Sequence, residues 1–232
     1  MDWNGPYLGV HAGATGYSAN FGQGTSSLIA HMLRNTTIEA ENSVSSWTTL
    51  GTADTRGAHY GGFAGYNVQF ENTVVGVEAS YNRTDVRLDA TDSMARMFGT
   101  SDGYTNNVAV TSTASVHLTD YGTLRVRGGW AYGNFLPYGF VGGALGRATV
   151  TRSAQVQASG THAVNPPYSF DQTATERKED DFAYGVTAGL GVEFALLQNL
   201  FVRAEYEYVK FGLFNDLNTY LQSVRVGAGM KF

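Results

Sequence analysis

The sequence predicts an all-β protein: an eight-stranded antiparallel transmembrane β-barrel with long extracellular loops and short periplasmic turns, set in the outer membrane of a Gram-negative bacterium. Three observations predict it. Apolar and polar residues alternate with period two in segment after segment, which reports two different environments on the two faces of a strand. Only 15% of the 232 residues are charged, while Gly (29), Tyr (14) and Phe (13) are abundant and mean hydropathy is −0.19; average soluble domains carry about 25% charged residues. The connections between segments alternate long and short, as in outer-membrane barrels.

The first strand, about Tyr7–Tyr17, carries Leu8, Val10, Ala12 and Ala14 as its apolar row. The second and fifth, about Ala58–Phe70 and Phe135–Thr151, are glycine-rich and their faces are less plain. The third sets Val75, Val77, Ala79 and Tyr81 opposite Gly76, Glu78, Ser80 and Asn82, and the fourth sets Leu124, Val126 and Trp130 opposite Arg125, Arg127 and Gly129. In the sixth, alternate residues from Phe182 to Phe194 are apolar and face away from Ala183, Gly185, Thr187, Gly189, Gly191 and Glu193. The seventh opposes Val202, Ala204, Tyr206 and Tyr208 to Arg203, Glu205 and Glu207; the eighth opposes Val224, Val226, Ala228, Met230 and Phe232 to Ser223, Arg225, Gly227, Gly229 and Lys231. Long loops are expected at Gly16–Arg56, Thr84–Asn107 and Arg152–Asp181, and a shorter one at Phe211–Thr219. Tight turns are expected at Glu71-Asn72, Gly133-Asn134 and Leu197–Asn199. An even strand number then puts both termini on the periplasmic side. Residues 1–232 read as one barrel domain without a linker.

Alternation alone also fits a soluble β-sandwich. Two features favour the barrel. The apolar faces end in Tyr, Phe or Trp, as interfacial girdles do. The opposite faces carry Arg and Glu beside Gly, and in a narrow barrel Gly leaves room for a neighbour's long side chain. No run approaches the ~18 apolar residues of a membrane helix, and Met1 reads as a start residue placed on a mature exported sequence. The net charge of −5 and the absence of a basic patch argue against nucleic acid as a partner. Zero Cys suits an oxidising compartment without requiring one.

The alternation points Glu78, Glu193, Glu205 and Glu207 inward with Arg125, Arg127, Arg203 and Arg225. An eight-stranded interior is just wide enough for side chains to fill, and isolated charges there are very unfavourable. The expectation is a salt-bridged plug; the alternative is a narrow ion or solute path opened by rearranged pairs. Acid/base catalysis by Glu205 and Glu207 is a third reading, which needs a substrate cleft that a filled barrel lacks. His11, His31, His59, His117 and His162 show no metal-ligand spacing. No nucleophile elbow, P-loop or dinucleotide motif is present, so neither an enzyme nor a cofactor is expected.

The final strand, with Val224, Val226, Ala228, Met230 and Phe232, looks like the signal read by the outer-membrane barrel-assembly machinery. Two loop segments break the alternation. Ser27–Leu33 and Asp92–Phe98 both space apolar residues as short amphipathic helices do, with Ser26 or Ser27 as an N-cap of the first and Gly99 ending the second. Their residues Leu28, Ile29, Met32, Leu33, Met94, Met97 and Phe98 either pack over the barrel mouth or form a contact patch for self-association, another envelope protein or the outer leaflet. The third loop, with Pro166-Pro167 and the run Glu176–Asp181, reads as solvated.

Gly122–Gly128 (GTLRVRG), Leu136–Tyr138, Tyr184–Glu193, Arg203–Tyr208 and Val224–Phe232, with Trp3–Gly9 and Gly76–Glu78, resemble the small outer-membrane β-barrel proteins of alphaproteobacteria, the major surface antigens often called "porin family". The resemblance covers the strands. It implies eight strands, abundant surface display among outer-membrane lipid and lipopolysaccharide, and links to envelope integrity; some members are reported as adhesins or haem binders. Three functions follow as expectations: a structural surface protein that presents its loops, a narrow porin, or a loop-mediated adhesin or ligand binder.

Overall fold

The computed structural model describes residues 2–214 and 217–232. Among them the chain forms eight strands, β1 (Gly5–Gly22), β2 (Leu50–Phe70), β3 (Thr73–Gly99), β4 (Thr105–Trp130), β5 (Phe135–Thr161), β6 (Tyr168–Ala195), β7 (Leu200–Phe214) and β8 (Leu217–Lys231). Each pairs antiparallel with the next, and β8 returns to β1, from Tyr7 opposite Lys231 to Ala19 opposite Thr219, to close the barrel. Closure leaves no open edge along this stretch, which a bilayer demands because it offers backbone groups no hydrogen bonds.

The side chains divide as the period-two pattern requires. Leu8, Val10, Val75, Val77, Leu124, Val126, Leu190, Val224 and Val226 are exposed on the outer wall, with Tyr60, Tyr66, Trp130, Tyr184 and Phe194 among the aromatics that accompany them. The residues between them point inside. Val224, Val226, Ala228 and Met230 lie on the outer face of β8, and Phe232, just past its end, is also exposed.

The strands run farther than the sequence pattern suggests. The expected loops Thr84–Asn107 and Arg152–Asp181 are mostly strand: β3 and β4 meet across residues 100–104, and β5 and β6 across 162–167. The expected helix at Asp92–Phe98 is therefore corrected to strand, paired with β4 from Asp92 opposite Ser112 to Phe98 opposite Asn106. The alternation persists there in weaker residues. Ala154, Val156 and Ala158 are buried inside while Gln155, Gln157 and Ser159 face out, but Ala is a weak strand former and none of Ala, Gln or Ser is among the β-branched and aromatic residues that mark strands. The first connection shortens to residues 23–49 and carries α1 (Ser26–Met32), α2 (Thr37–Asn42) and a 3-10 turn at Val44–Ser46. Neither expected serine caps α1: Thr25 takes the N-cap position and makes no side-chain bond there. The start of α2 went unread in the sequence, although Thr36 and Glu39 have capping-box spacing and the Thr36 hydroxyl accepts the Glu39 N–H at 3.3 Å. The tight turns fall at Glu71-Asn72, Gly133-Asn134 and Leu196–Asn199. Met1 and the tip of the connection Phe211–Thr219 lie outside the described residues.

Because β3–β6 outrun their neighbours, the molecule has two unlike ends. At one end the strands join through short turns. At the other, β2 pairs with β3 only as far as His59 opposite Thr84, and β6 with β7 from Gly185 opposite Phe211. Above those points β3–β6 continue as a tall four-stranded sheet. Register shifts on β3, β4 and β5, at Arg83/Val86, Leu118/Asp120 and Ala148/Val150, lie at one level. Such bulges bend and twist a sheet. On the outer wall at this level Asp120 receives Arg147 at 2.5 Å and Arg83 at 3.4 Å.

A charged plug inside the barrel as the candidate functional site

The interior is layered. Nearest the short-turn end, Trp3, Tyr7, Phe63, Val74, Leu136, Tyr138, Phe140 and Phe201 form a buried, largely aromatic cluster. Against it lie the eight charged side chains marked by the sequence. Glu78 comes from β3, Arg125 and Arg127 from β4, Glu193 from β6, Arg203, Glu205 and Glu207 from β7, and Arg225 from β8. All point inward, with side-chain exposures of 0 to 2%.

Glu78 is the hub. It accepts from Arg125 through two nitrogens, from Arg203 at 2.9 and 3.1 Å, from Arg127 at 3.3 Å and from the Tyr7 hydroxyl at 2.8 Å. Glu193 takes Arg127 at 2.8 Å and Arg203 at 2.6 Å. Glu205 takes Arg125 at 2.8 Å, Arg225 at 2.5 Å and the Tyr138 hydroxyl at 2.5 Å. Glu207 takes Arg225 at 3.0 Å, Arg125 at 3.5 Å and the Thr187 hydroxyl at 3.0 Å. Four carboxylates and four guanidiniums thus form one lattice in which every carboxylate has at least two cationic partners. Buried ions are tolerated when they are paired and hydrogen-bonded; the carboxylates meet this fully, whereas Arg127 Nη2, Arg203 Nε and Arg225 Nη2 make no hydrogen bond among the described residues.

The aromatic partners of the lattice were missed in the sequence. The guanidinium of Arg203 lies 3.6 Å from the Phe63 ring centroid, Arg127 lies 3.8 Å from Tyr138, and Arg125 lies 4.0 Å from Phe140. Planar guanidiniums stack on aromatic faces, and the attraction grows when water is excluded. The available signal was parity: Tyr7 and Phe63 alternate with outward apolar residues, and so had to point inward. Glycine makes the stacking possible. A Cβ added at Gly191 would lie 2.5 Å from the Tyr138 ring and 2.9 Å from Glu205 Cγ, so the ring and the carboxylate occupy space that any other residue would fill.

Above the charges lies a neutral polar layer. His11 Nε2 meets Asn82 Oδ1 at 2.7 Å, and Thr15 bridges His59 Nδ1 and the Ser223 hydroxyl, each at 2.8 Å. Of the other histidines, His117 pairs with Asp85 and His162 accepts the N–H groups of Val164 and Asn165. Among the described residues no three His, Asp or Glu side chains are grouped so that they could hold a metal ion. Higher still, Tyr17, Phe21, Leu50, Val86, Leu88, Val116, Leu118, Phe211 and Leu221 pack the barrel mouth.

The first-loop helices close the top. Ile29, Leu33, Ile38, Val44 and Trp47 pack against Val108, Val110, Val156 and Ala158 on the inner face of the tall sheet. Of the seven loop residues singled out in the sequence, Ile29 and Leu33 are fully buried and Leu28, Met32, Met94 and Phe98 are half-buried against the same cluster. Met97 points out, at 72% exposure. The cap is tied down by polar contacts: Thr37 donates to Asp102 at 2.7 Å, the Ser101 N–H donates to Glu41, and the Thr49 N–H donates to Asp92 at 2.9 Å. The Thr100 and Thr37 hydroxyls hold the Asp102 carboxyl below its ordinary pKa.

A family model described as "Outer membrane protein beta-barrel domain" matches residues 1–232. The chain belongs to this family. A curated relative, the 31 kDa outer-membrane immunogenic protein of Brucella melitensis, is 28% identical over 245 residues, covering 100% of this chain and 85% of that protein. The 25 kDa outer-membrane immunogenic protein of Brucella ovis is 46% identical over 54 residues, 23% of this chain and 25% of that one. Among solved structures, the attachment invasion locus protein Ail of Yersinia pestis is similar at 14% identity and TM-score 0.35, covering 99% of each chain. Neisserial surface protein A is similar at 16% identity and TM-score 0.35, covering 97% of each. Family and named relatives place the chain in the outer membrane, and the apolar outer wall is accordingly its lipid-facing surface.

Proposed function

We propose that this chain is a closed outer-membrane barrel that supports the envelope and presents its capped end outside the cell, with both termini periplasmic. The observation that carries the reading is the lattice itself: eight charges at 0 to 2% side-chain exposure, cross-linked through β3, β4, β6, β7 and β8. A passage for ions or solutes needs water-accessible polar groups, and these are in contact with one another. Glu205 and Glu207 are held by Arg225 and closed off from solvent, so the reading assigns them no catalytic role. The orientation is supported by the outer wall. Above Tyr81 on β3 it turns to Asp85, Arg87, Asp89 and Thr91, which suits water; the opposite end offers only short turns. The relatives' names mark them as immunogenic, which is consistent with outside exposure of this end. Since most of the apolar loop residues serve the cap, presentation falls to the polar outer face of the tall sheet.

Planar-bilayer recording of the folded protein tests the seal. A silent bilayer, with the heat-modifiable folded band present in the same sample, is expected. Persistent and reproducible openings would replace this reading with the narrow channel. Orientation is tested by an epitope inserted after Val164, which is 87% exposed. It should label intact cells; labelling only after permeabilisation would reverse the assignment.

A further inference from the structure

The outer wall on the β7, β8, β1 and β2 side carries two hollows, one above the other. Within the apolar band, Val10, Ala12, Ala204, Val226 and Ala228 line a groove of about 650 Å³. Its small members Ala12, Ala204 and Ala228 lie among the larger Phe135, Phe194 and Val202, which also line it. Two outward rows higher, past Ala14 and Val224, a second hollow of about 280 Å³ opens over Gly16, with Arg56, Ser18, Tyr220 and Gln222 around it. Gly16 is opposite Arg56 on one side and Gln222 on the other, so the hollow sits where a side chain is missing. The Arg56 guanidinium is exposed and has no carboxylate partner among the described residues. Lys210, opposite Tyr220 on β7, has its ammonium 5.7 Å from the Tyr220 ring centroid and likewise no carboxylate partner among them. The other titratable group lining the hollow besides the tyrosines is Asp54, on its upper margin beside Ser18.

We propose that this face holds a phosphorylated glycolipid of the outer leaflet, its acyl chains in the lower groove and its phosphates on Arg56 and Lys210. The chemistry is paired vertically. An apolar furrow in the lipid zone leads to two unpartnered cations at the level where headgroups begin, and the tyrosines there are interfacial residues. Three strand spacings of about 4.8 Å separate β7 from β2, about 14 Å in all, which is the span of a disaccharide with a phosphate at each end. Asp54 shares the row of Lys210, Tyr220 and Ser18, one outward row above Arg56, and so disfavours an anion seated above Arg56 on β2. The proposal rests on the capped end facing outward, which the Val164 epitope tests separately.

The experiment uses the full chain folded into phosphatidylcholine nanodiscs. Native mass spectrometry reads retention of bis-phosphorylated, mono-phosphorylated and unphosphorylated lipid A. Retention should fall in that order. Arg56→Ala with Lys210→Ala should lower retention of the bis-phosphorylated form about tenfold, about 1.4 kcal/mol. Arg83→Ala, in a guanidinium already paired with Asp120, should leave it unchanged. Equal retention of all three lipids, or no loss in the double variant, would overturn the site. So would saturation by inorganic phosphate with no preference for the lipid, which would mark a free-anion site. Loss of retention in Arg83→Ala to the same degree would also overturn it, by showing diffuse charge attraction.

Discussion

Replacing Glu78 by Gln is the sharpest test of the plug. The substitution keeps the shape and one acceptor oxygen and removes one charge. Glu78 is touched by Arg125, Arg127 and Arg203, yet each keeps another carboxylate: Glu205 at 2.8 Å, Glu193 at 2.8 Å and Glu193 at 2.6 Å respectively. No guanidinium is orphaned, so the loss comes from an uncompensated positive charge in a layer whose side chains are at most 2% exposed. Breaking a buried pair by removing one partner costs about 3–5 kcal/mol, and this site belongs in that range because solvent cannot screen it. Urea unfolding from lipid vesicles, followed by tryptophan fluorescence and by the heat-modifiable gel band, measures the change. A second variant separates charge from shape. Arg127→Leu removes a cation bound mainly to Glu193, and combined with Glu78→Gln it returns the lattice to three against three. The double variant should be more stable than the two single losses added together, by about 1–3 kcal/mol of coupling. A loss below about 1 kcal/mol in Glu78→Gln, or strict additivity in the double, would refute an interior held by its charges.

Gly191→Ala should wedge Tyr138 away from its place over Arg127 and lower barrel stability by about 1–3 kcal/mol, seen as an earlier urea midpoint; an unchanged midpoint would mean that the stacking is dispensable. Trp47, 8% exposed and edge-on to Phe98 at 5.7 Å, anchors the cap. Trp47→Ala should cost the cap about 3–5 kcal/mol and open residues 23–49 to protease while the barrel's own midpoint stays put. The cap should also respond to acid in one direction. Asp102 has its pKa depressed by the Thr100 and Thr37 hydroxyls, so its contribution is present above the unfolded value and is lost as pH falls through the lower, folded one. In a variant retaining only Trp47 as fluorophore, emission should be flat from neutrality down to the ordinary aspartate range and change below it. Asp102→Asn should remove the part of that change lying below the ordinary value.

The fold class and the eight inward charges were legible because within the bilayer zone the two faces of each strand are chemically far apart. Outward positions are Val, Leu and Tyr, inward ones Glu, Arg and Gly, and parity alone sorts them. The tall sheet was not legible for the opposite reason. From Asp85 upward on β3 the outward face meets water and the inward face holds small or modest residues, so the contrast falls to Ala and Val against Ser, Thr and Gln. The mistaken helix at Asp92–Phe98 has a geometric cause. Met94 and Phe98 are four residues apart, and a spacing of four puts two side chains on one face of a helix and equally on one face of a strand. The residue that decides is Met97: a helix would set it beside Met94, whereas odd parity on a strand turns it outward, where it lies.

The contrast also explains why the interior changes character along the barrel axis. Behind the apolar outer wall the inside holds an aromatic cluster at the short-turn end and, against it, the charged lattice. Charge pairing in a dry interior discriminates strongly, since one misplaced strand leaves an ion without a partner. Above the outward row of Tyr81, Leu145 and Tyr184 the outer face of β3 turns polar and the hydrophobic effect becomes available inside. There the inside turns apolar, from Tyr121 and Phe211 up to Val110 and Val156, and the outside turns polar. His11 with Asn82, and His59 with Thr15 and Ser223, lie at the changeover as polar groups hydrogen-bonded to one another, with His59 Nε2 left without a partner among the described residues. A perturbation at this level should therefore uncouple the two halves: His59→Leu should leave the charged lattice and its stability to urea nearly intact while loosening the upper packing, read as faster hydrogen exchange in β1 and β2 above Thr15 with unchanged exchange around Glu78. Parallel loss of protection in both halves would show instead that the barrel interior unfolds as one unit.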